Sequence, residues 1–340
     1  MLNFEEFQQH VIDNLPKALP EELANARILA NEVKKNNGLL LHGITVTPEG
    51  CNIAPNIYLD AYFNKYQDGA NLDAIMGQIA ACVVKHVKTP EEFGNIAEDY
   101  LNFDFVKDRV VMVAVNAERN AGLLKEVPYQ AREDLSLIYK VMVGNNADGF
   151  SSITVTNEHM EMWGVTASQL HELAMVNTKE ILPISITSMQ EVMREMFSVD
   201  GMPDDLANAM FDEMPLNQQM FIITNEARIQ GAATMFYEDA LSGLADQMGT
   251  DLYILPSSVH ELIAVSTDMG TPENLAEMVK EVNGTQVALE EQLSDHVYKY
   301  DAASKQITLA DTTVEELKIA AGAENMEQAP EVSRSRGNHR

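Results

Sequence analysis

Two spacings of apolar residues divide this chain. Residues 4–15 and 72–87 repeat apolar side chains every three or four positions, the latter through Leu72, Ile75, Met76, Ile79 and Val83, and so predict amphipathic helices. Between them, "NNGLLLHGITVTPEGCNIAPNIYLD" (36–60) reads as a β-hairpin. Thr47-Pro48-Glu49-Gly50 has Pro second and Gly fourth, as a type I turn prefers. Pro55 removes a backbone donor and assigns the second strand to a sheet edge. Thr89-Pro90-Glu91-Glu92 carries the capping signals of a further helix.

From residue 109 the spacing changes to strands alternating with helices. "RVVMVAVN" (109–116) is a predicted strand, and "LSLIYKVMVGNNADGFSSITVTN" (135–157) two strands around an Asn/Asp/Gly turn. A short helix, "EHMEMW", should stop at Gly164, and Thr166 with Gln169 forms a capping box for the next. "LPISIT", "QQMFIITN", "GAATMFY", "DLYILPSS" and "ELIAVS" all read as strands. Helices are expected from Ser188, over "EDALSGLADQM" (238–248) and from Thr271-Pro272, and a closing hairpin over 294–310. The Met-rich, acidic stretch 198–215 is weakly patterned and reads as a loop or insertion. Together these predict an α+β fold: mixed, mainly antiparallel β-sheets with helices packed against them. The expected organisation is a hairpin–helix subdomain over 1–106, a larger α+β domain over 107–310, and a tail over 311–340 ending "SRSRGNHR".

Composition narrows the function classes. With 46% apolar residues in 340, the chain has enough to build a core. Lys and Arg total 23 against 52 Asp and Glu, a formal charge of −29 that repels phosphate backbones and anionic membranes. Direct nucleic-acid binding is therefore not expected. The opening "MLNFEEFQQH" lacks the basic and apolar regions of a secretory signal, and the apolar run "IAACVV" (79–84) is too short to span a bilayer. Cys51 and Cys82 make no disulfide framework, so a cytoplasmic protein is expected.

The candidate chemistry concentrates in "LPSSVHELIAV" (255–265), which brings Ser258 close to His260. A nucleophile elbow needs small flanking residues, yet Pro256 and Val259 stand there. If extended, Ser258 and His260 share a face at about 6.5–7 Å, pointing in parallel, a poor contact for a nucleophile and its base. The reading is a strand. "HELAM" (171–175) and "HELIA" (260–264) begin like a zinc-binding helix, but Met175 and Ala264 replace the second histidine. No metal site, phosphate loop or dinucleotide fingerprint is present in the sequence, and no cofactor is expected. A faint echo, "ITVTNE" (153–158) and "FIITNE" (221–226), marks Asn157 and Asn225 as matched strand-end residues, although such an asparagine commonly caps or turns the chain. Low-ranking binding candidates are therefore Asn157, Asn225, Ser258, His260 and His296. Trp163 reads as a packing anchor.

The runs "VKKNNGLLLHGITV", "NIAPNIYLDAYFNKY", "VTNEHMEMWGVTASQLHELAMVN", "DLYILPSSVHELIAV" and "LSDHVYKYD" together resemble a domain-of-unknown-function family common in gut clostridia and often found near mobile elements. The likeness covers residues 1–310. "VTNEHMEMWGVTASQLHELAMVN" and "LADQMGTDLYILPSSVHELIAV" are also distantly similar to the YtpQ-like family of Firmicutes. Neither likeness brings catalytic residues; it implies an α/β cytoplasmic protein.

Three functions follow as expectations. First is a non-enzymatic protein that binds a protein or small ligand, through an apolar patch around 189–216. Second is a hydrolase assembled from Ser258, His260, Asn157, Asn225 and His296. Third is an acidic decoy for a nucleic-acid-binding protein.

Overall fold

A computed structural model of the chain describes residues 1–51, 54–87, 96–146, 149–199, 214–237, 239–256 and 258–312. The sequence already explains its first element. Asn3 Oδ1 accepts from Glu6 N at 2.9 Å while Glu6 Oε2 accepts from Asn3 N at 3.0 Å, a reciprocal cap that starts α1 (Phe4–Ala18). Phe7, Val11 and Leu15, four residues apart, are its buried stripe. They pack on a three-stranded antiparallel sheet of order β1-β2-β3, made of β1 (Arg27–Lys34), β2 (Leu40–Thr47) and β3 (Asn56–Tyr58). Helices α2 (Asp60–Gln67) and α3 (Leu72–His86) complete this N-terminal unit, whose core includes Ile44, Val46, Ile57, Ile75, Ile79 and Val83. Strand β3, just after Pro55, lies at the edge as predicted. The turn closes one residue later than predicted: Cys51 N donates to Pro48 O at 3.1 Å, and Gly50 takes φ +85°.

Helices α4 (Ile96–Tyr100) and α5 (Phe103–Val106) lead into the central sheet. Strand β4 (Val110–Asn116) is buried at every position, so both its faces are covered. It pairs with the long β6 (Leu135–Asn146), which also pairs with β5 (Tyr129–Arg132) and with β7 (Gly149–Thr154). One face carries Met112, Leu137, Tyr139 and Val141 into the largest core; the other carries Val113, Val115 and Ile138 against Leu123 and Leu124. Gly164, at φ +68°, ends α6 (Asn157–Trp163), and the Thr166–Gln169 box starts α7 (Ala167–Ile181), both as the sequence predicts. Trp163 anchors packing by donating from Nε1 to Tyr100 O at 3.0 Å.

The third sheet runs β13-β12-β10-β11-β9-β8, antiparallel throughout. Its strands are β8 (Ile184–Ser188), β9 (Phe221–Asn225), β10 (Leu252–Leu255), β11 (Leu262–Ser266), β12 (Tyr298–Asp301) and β13 (Gln306–Leu309). Helices α8 (Met189–Val199), α9 (Ser242–Met248) and α10 (Pro272–Thr285) accompany it. The class is α+β, with mainly antiparallel sheets and helices packed on them.

Three local expectations are corrected. Residues 231–236 form a 3-10 helix, not a strand. A short run of buried apolar residues fits either element, and here Thr234 Oγ1 donates to Gly231 O at 2.6 Å and closes a helical turn. Gly231 itself lies so close to neighbouring backbone that a β-carbon would overlap Thr224 Oγ1 and the His260 carbonyl oxygen and approach Asn225 N to 2.9 Å. The two strands read in "DLYILPSS" and "ELIAVS" are present, but Ser258 and His260, read as extended, lie in the bend between them. The helix expected over 238–248 begins at Ser242. The predicted cap at Thr89, the core of the 198–215 stretch and the tail from 313 lie outside the described residues. Among those described, no helix is long and apolar enough to cross a membrane.

Candidate functional site

Asn225 terminates β9 and turns the chain. Its Nδ2 donates to Ile229 O at 2.7 Å and its Oδ1 accepts from Ile229 N at 3.2 Å, closing a small loop in which Arg228 and Gln230 take positive φ. This loop presses on the bend between β10 and β11. Thr224 Oγ1 donates to His260 O at 2.7 Å, and Gln230 N donates to His260 Nδ1 at 3.2 Å. Accepting at Nδ1 leaves the proton of the neutral ring on Nε2, which stands 3.8 Å from Glu291 Oε1. The Ser258 hydroxyl accepts from the backbone N–H of His260 at 3.0 Å. The structure thus brings Asn225, Ser258 and His260 together, and their hydrogen bonds stabilise bends in the backbone.

The other two predicted residues lie apart from that bend. Asn157 starts α6 and donates from Nδ2 to Lys125 O at 3.3 Å, while the cap is its neighbour Thr156. His296 precedes β12, with Nδ1 3.0 Å from Asp311 Oδ2. The hydrogen bond that His296 donates to Asp311 raises the His296 pKa against the opposing effect of burial, and the charges of Asp311 and Asp134 add to the rise. Burial pushes Asp311 upward, but its bonds to His296 and Val297 N–H hold it below the ordinary carboxylate value. Beside them the carboxylate of Asp134 accepts from Ser294 Oγ at 2.6 Å and from the hydroxyl of the fully buried Tyr298, whose pKa burial raises far above normal.

A larger polar junction has no local signature in the sequence. The left-handed turn at Asn37 (φ 59°) after β1 inserts Asn36 and Asn37 against residues 289–292. Asn37 Nδ2 donates to both Leu289 O and Gln292 O at 2.7 Å, and Asn36 Nδ2 to Glu290 O at 2.8 Å. Buried Asn120 donates to Asn36 Oδ1, Asn37 Oδ1 and Asn116 O, and accepts from Asn37 N at 3.0 Å. Arg119 spans to Gln292 Oε1 at 3.1 Å and Asp295 Oδ2 at 2.6 Å. The junction joins the N-terminal unit to the remainder.

Two features differ from these closed networks. Lys140 on β6 sits opposite Val111 and Thr154, half-buried, and burial followed by the charge of Lys35 depresses its pKa. Among the described residues its ammonium has neither a hydrogen bond nor an ion pair. A lone lysine within the apolar run "LSLIYKVMV" was the available signal. Second, β8 ends its sheet. Beside it opens a groove of ≈ 410 Å³ lined by Ile186, Ser188, Glu191, Leu216, Phe221 and Leu244, among others. Exposed Ile186, Met193, Met196, Met214, Leu216 and Met220 lie on the elements that border it. Among the described residues no cluster of three His, Cys, Asp or Glu is placed to hold a metal ion.

No curated protein and no solved structure matches this chain. A family model does, over residues 4–302, nearly all of the chain that folds into the three sheets; the protein belongs to the Family of unknown function (DUF5688).

Proposed function

We propose that this protein is a non-enzymatic binding protein that takes an extended segment of a partner protein onto the edge of β8. The observation that carries the reading is the combination of a strand edge unpaired among the described residues with a groove alongside it that presents Ile186, Leu216, Phe221 and Leu244. Pro183 O accepts from Glu226 N, and Met189 N donates to Met220 O. Backbone groups alternate along a strand, so the N–H groups of Ile184 and Ile186 face outward, away from β9. Ser188 N–H, in the same outward phase, is taken up by Glu191 Oε2 at 2.9 Å. The strand, "ISITS", has neither the Lys nor the Pro with which edges are commonly guarded. An added strand would satisfy the open backbone groups and seat alternate apolar side chains on Ile186, Leu216 and Phe221. Glu191 at the groove and the formal charge of −29 favour a segment with basic flanks. The reading keeps the protein in the cytoplasm, in accord with Cys51 and Cys82 not joining in a disulfide.

The test is fluorescence polarisation with a labelled peptide of alternating Val and Thr, flanked by Lys. Binding is expected, with loss in Ile186→Pro, which deletes an outward donor without touching the β9 ladder. N-methylation of alternate peptide residues should abolish it too. Binding that survives both changes, or no binding at all, sinks the reading.

A further inference from the structure

We propose that the cavity between the start of β1 and the turn after β2 binds a small zwitterion, a molecule of amino-acid or dipeptide size that carries one carboxylate and one ammonium. The cavity has a volume of ≈ 600 Å³ and is lined by Asn25, Arg27, Thr47, Pro48, Glu49 and Cys51. That volume suits a small-molecule site. The backbone sets its walls. Arg27 pairs directly with Thr47 across the β1–β2 ladder, so the two side chains leave the sheet on one face, opposite the buried Val46. The turn that carries Glu49 is closed by the bond from Cys51 N to Pro48 O at 3.1 Å, with Gly50 at φ +85°.

Three polar groups on these walls are unmet. Thr47 is only 9% exposed, and its hydroxyl has no hydrogen-bond partner among the described residues. A hydroxyl so enclosed has given up most of its water without gaining a partner. Arg27 and Glu49 line the same cavity, yet neither forms an ion pair with the other or with any other described residue. Opposite charges held apart over a shared cavity suit a ligand that brings both: its carboxylate on the guanidinium fork, its ammonium on Glu49. A free anion would meet Glu49 and the formal charge of −29, and a free cation would meet Arg27. A zwitterion is neutral overall and escapes both penalties. The Thr47 hydroxyl and the Asn25 amide supply bonds to its remaining polar atoms. The cavity shares no residue with the groove beside β8.

Isothermal titration of the full chain with L-serine and with glycyl-L-serine tests this, and the tighter of the two gives the size of the ligand. Binding is expected. Two half-molecules, 3-hydroxypropionate without the ammonium and ethanolamine without the carboxylate, should each bind about tenfold more weakly or worse. Arg27→Gln and Glu49→Gln should each weaken binding about tenfold or more, and Thr47→Val about fivefold. Arg27 and Glu49 are exposed and the Thr47 hydroxyl is unpartnered, so all three variants should melt like wild type, which shows that the fold is intact. As a second readout, the zwitterion should slow alkylation of Cys51, followed by mass spectrometry, and leave Cys82 unchanged, in wild type but not in Glu49→Gln. Ile186→Pro should bind both zwitterions like wild type, so failure here and failure of strand addition are separable. Binding of neither zwitterion, a half-molecule binding as tightly as the zwitterion, unchanged affinity in either charge variant, or no protection of Cys51 would overturn the proposal.

Discussion

Two polar regions of the molecule, the junction at Asn120 and the central sheet at Lys140, are built on opposite principles. At Asn120 the side chain's donors and acceptor close on Asn36, Asn37 and Asn116. At Lys140, one face of the central sheet carries a cation whose described surroundings offer no counter-charge. The difference separates polar groups that hold a fold from polar groups that are left unpaired in it. A buried group costs little net when its bonds are made and much when one is removed. Asparagine is therefore the economical choice at a permanent joint, and an unpaired lysine is a poor one.

Substitutions put the contrast to work. Asn120→Ala takes bonds from buried Asn116 and from half-buried Asn36 and Asn37 and should cost about 3 kcal/mol in urea unfolding; a loss under about 1 kcal/mol would mean the joint is held elsewhere. Lys140→Met should move stability the other way, by about 1 kcal/mol, because it deletes an uncompensated half-buried charge. A destabilised Lys140→Met protein would erase the distinction between the two regions.

The histidines sharpen it through pH. His296 has a folded pKa raised above its ordinary 6.5 by Asp311, so its contribution is complete below about 6.5 and fades as pH rises through the folded value. His159 and His171 are depressed, burial being the first cause, so they act in reverse and weaken the fold as pH falls below that range. The stability difference between wild type and His296→Gln should accordingly be larger at pH 6 than at pH 8.5 by urea denaturation. A difference that does not change with pH would place the His296–Asp311 bond outside the stability of the fold. The smallest effect belongs to Ser258→Ala, which removes one acceptor for a backbone N–H and should cost about 1 kcal/mol or less in thermal unfolding.

Legibility in the sequence followed the range of the interactions. Caps at Thr166 and Thr271 and the stop at Gly164 are settled within four residues, and each was readable. So was β4, whose continuous apolar run fits a strand covered on both faces. Strand β1 was missed because "RILANEVK" exposes most of its side chains and exists through the ladder offered by β2. The 3-10 turn at 231–236 was misread because a distant backbone segment, at His260, decides its course. Candidate residues behaved alike. The turning role of Asn225 was among the readings its sequence context allowed, whereas the Asn36–Asn120–Gln292 joint spans more than 250 residues of sequence and left no local trace. Lys140 has one, a charge inside an apolar strand.

Gly231 sits where two chain crossings touch, with Thr224 and His260 nearer than any side chain permits. A saturation library at this position should return glycine alone among folded clones, while its neighbours vary. A sharp constraint on how this chain can diverge thus falls on an atom that is missing.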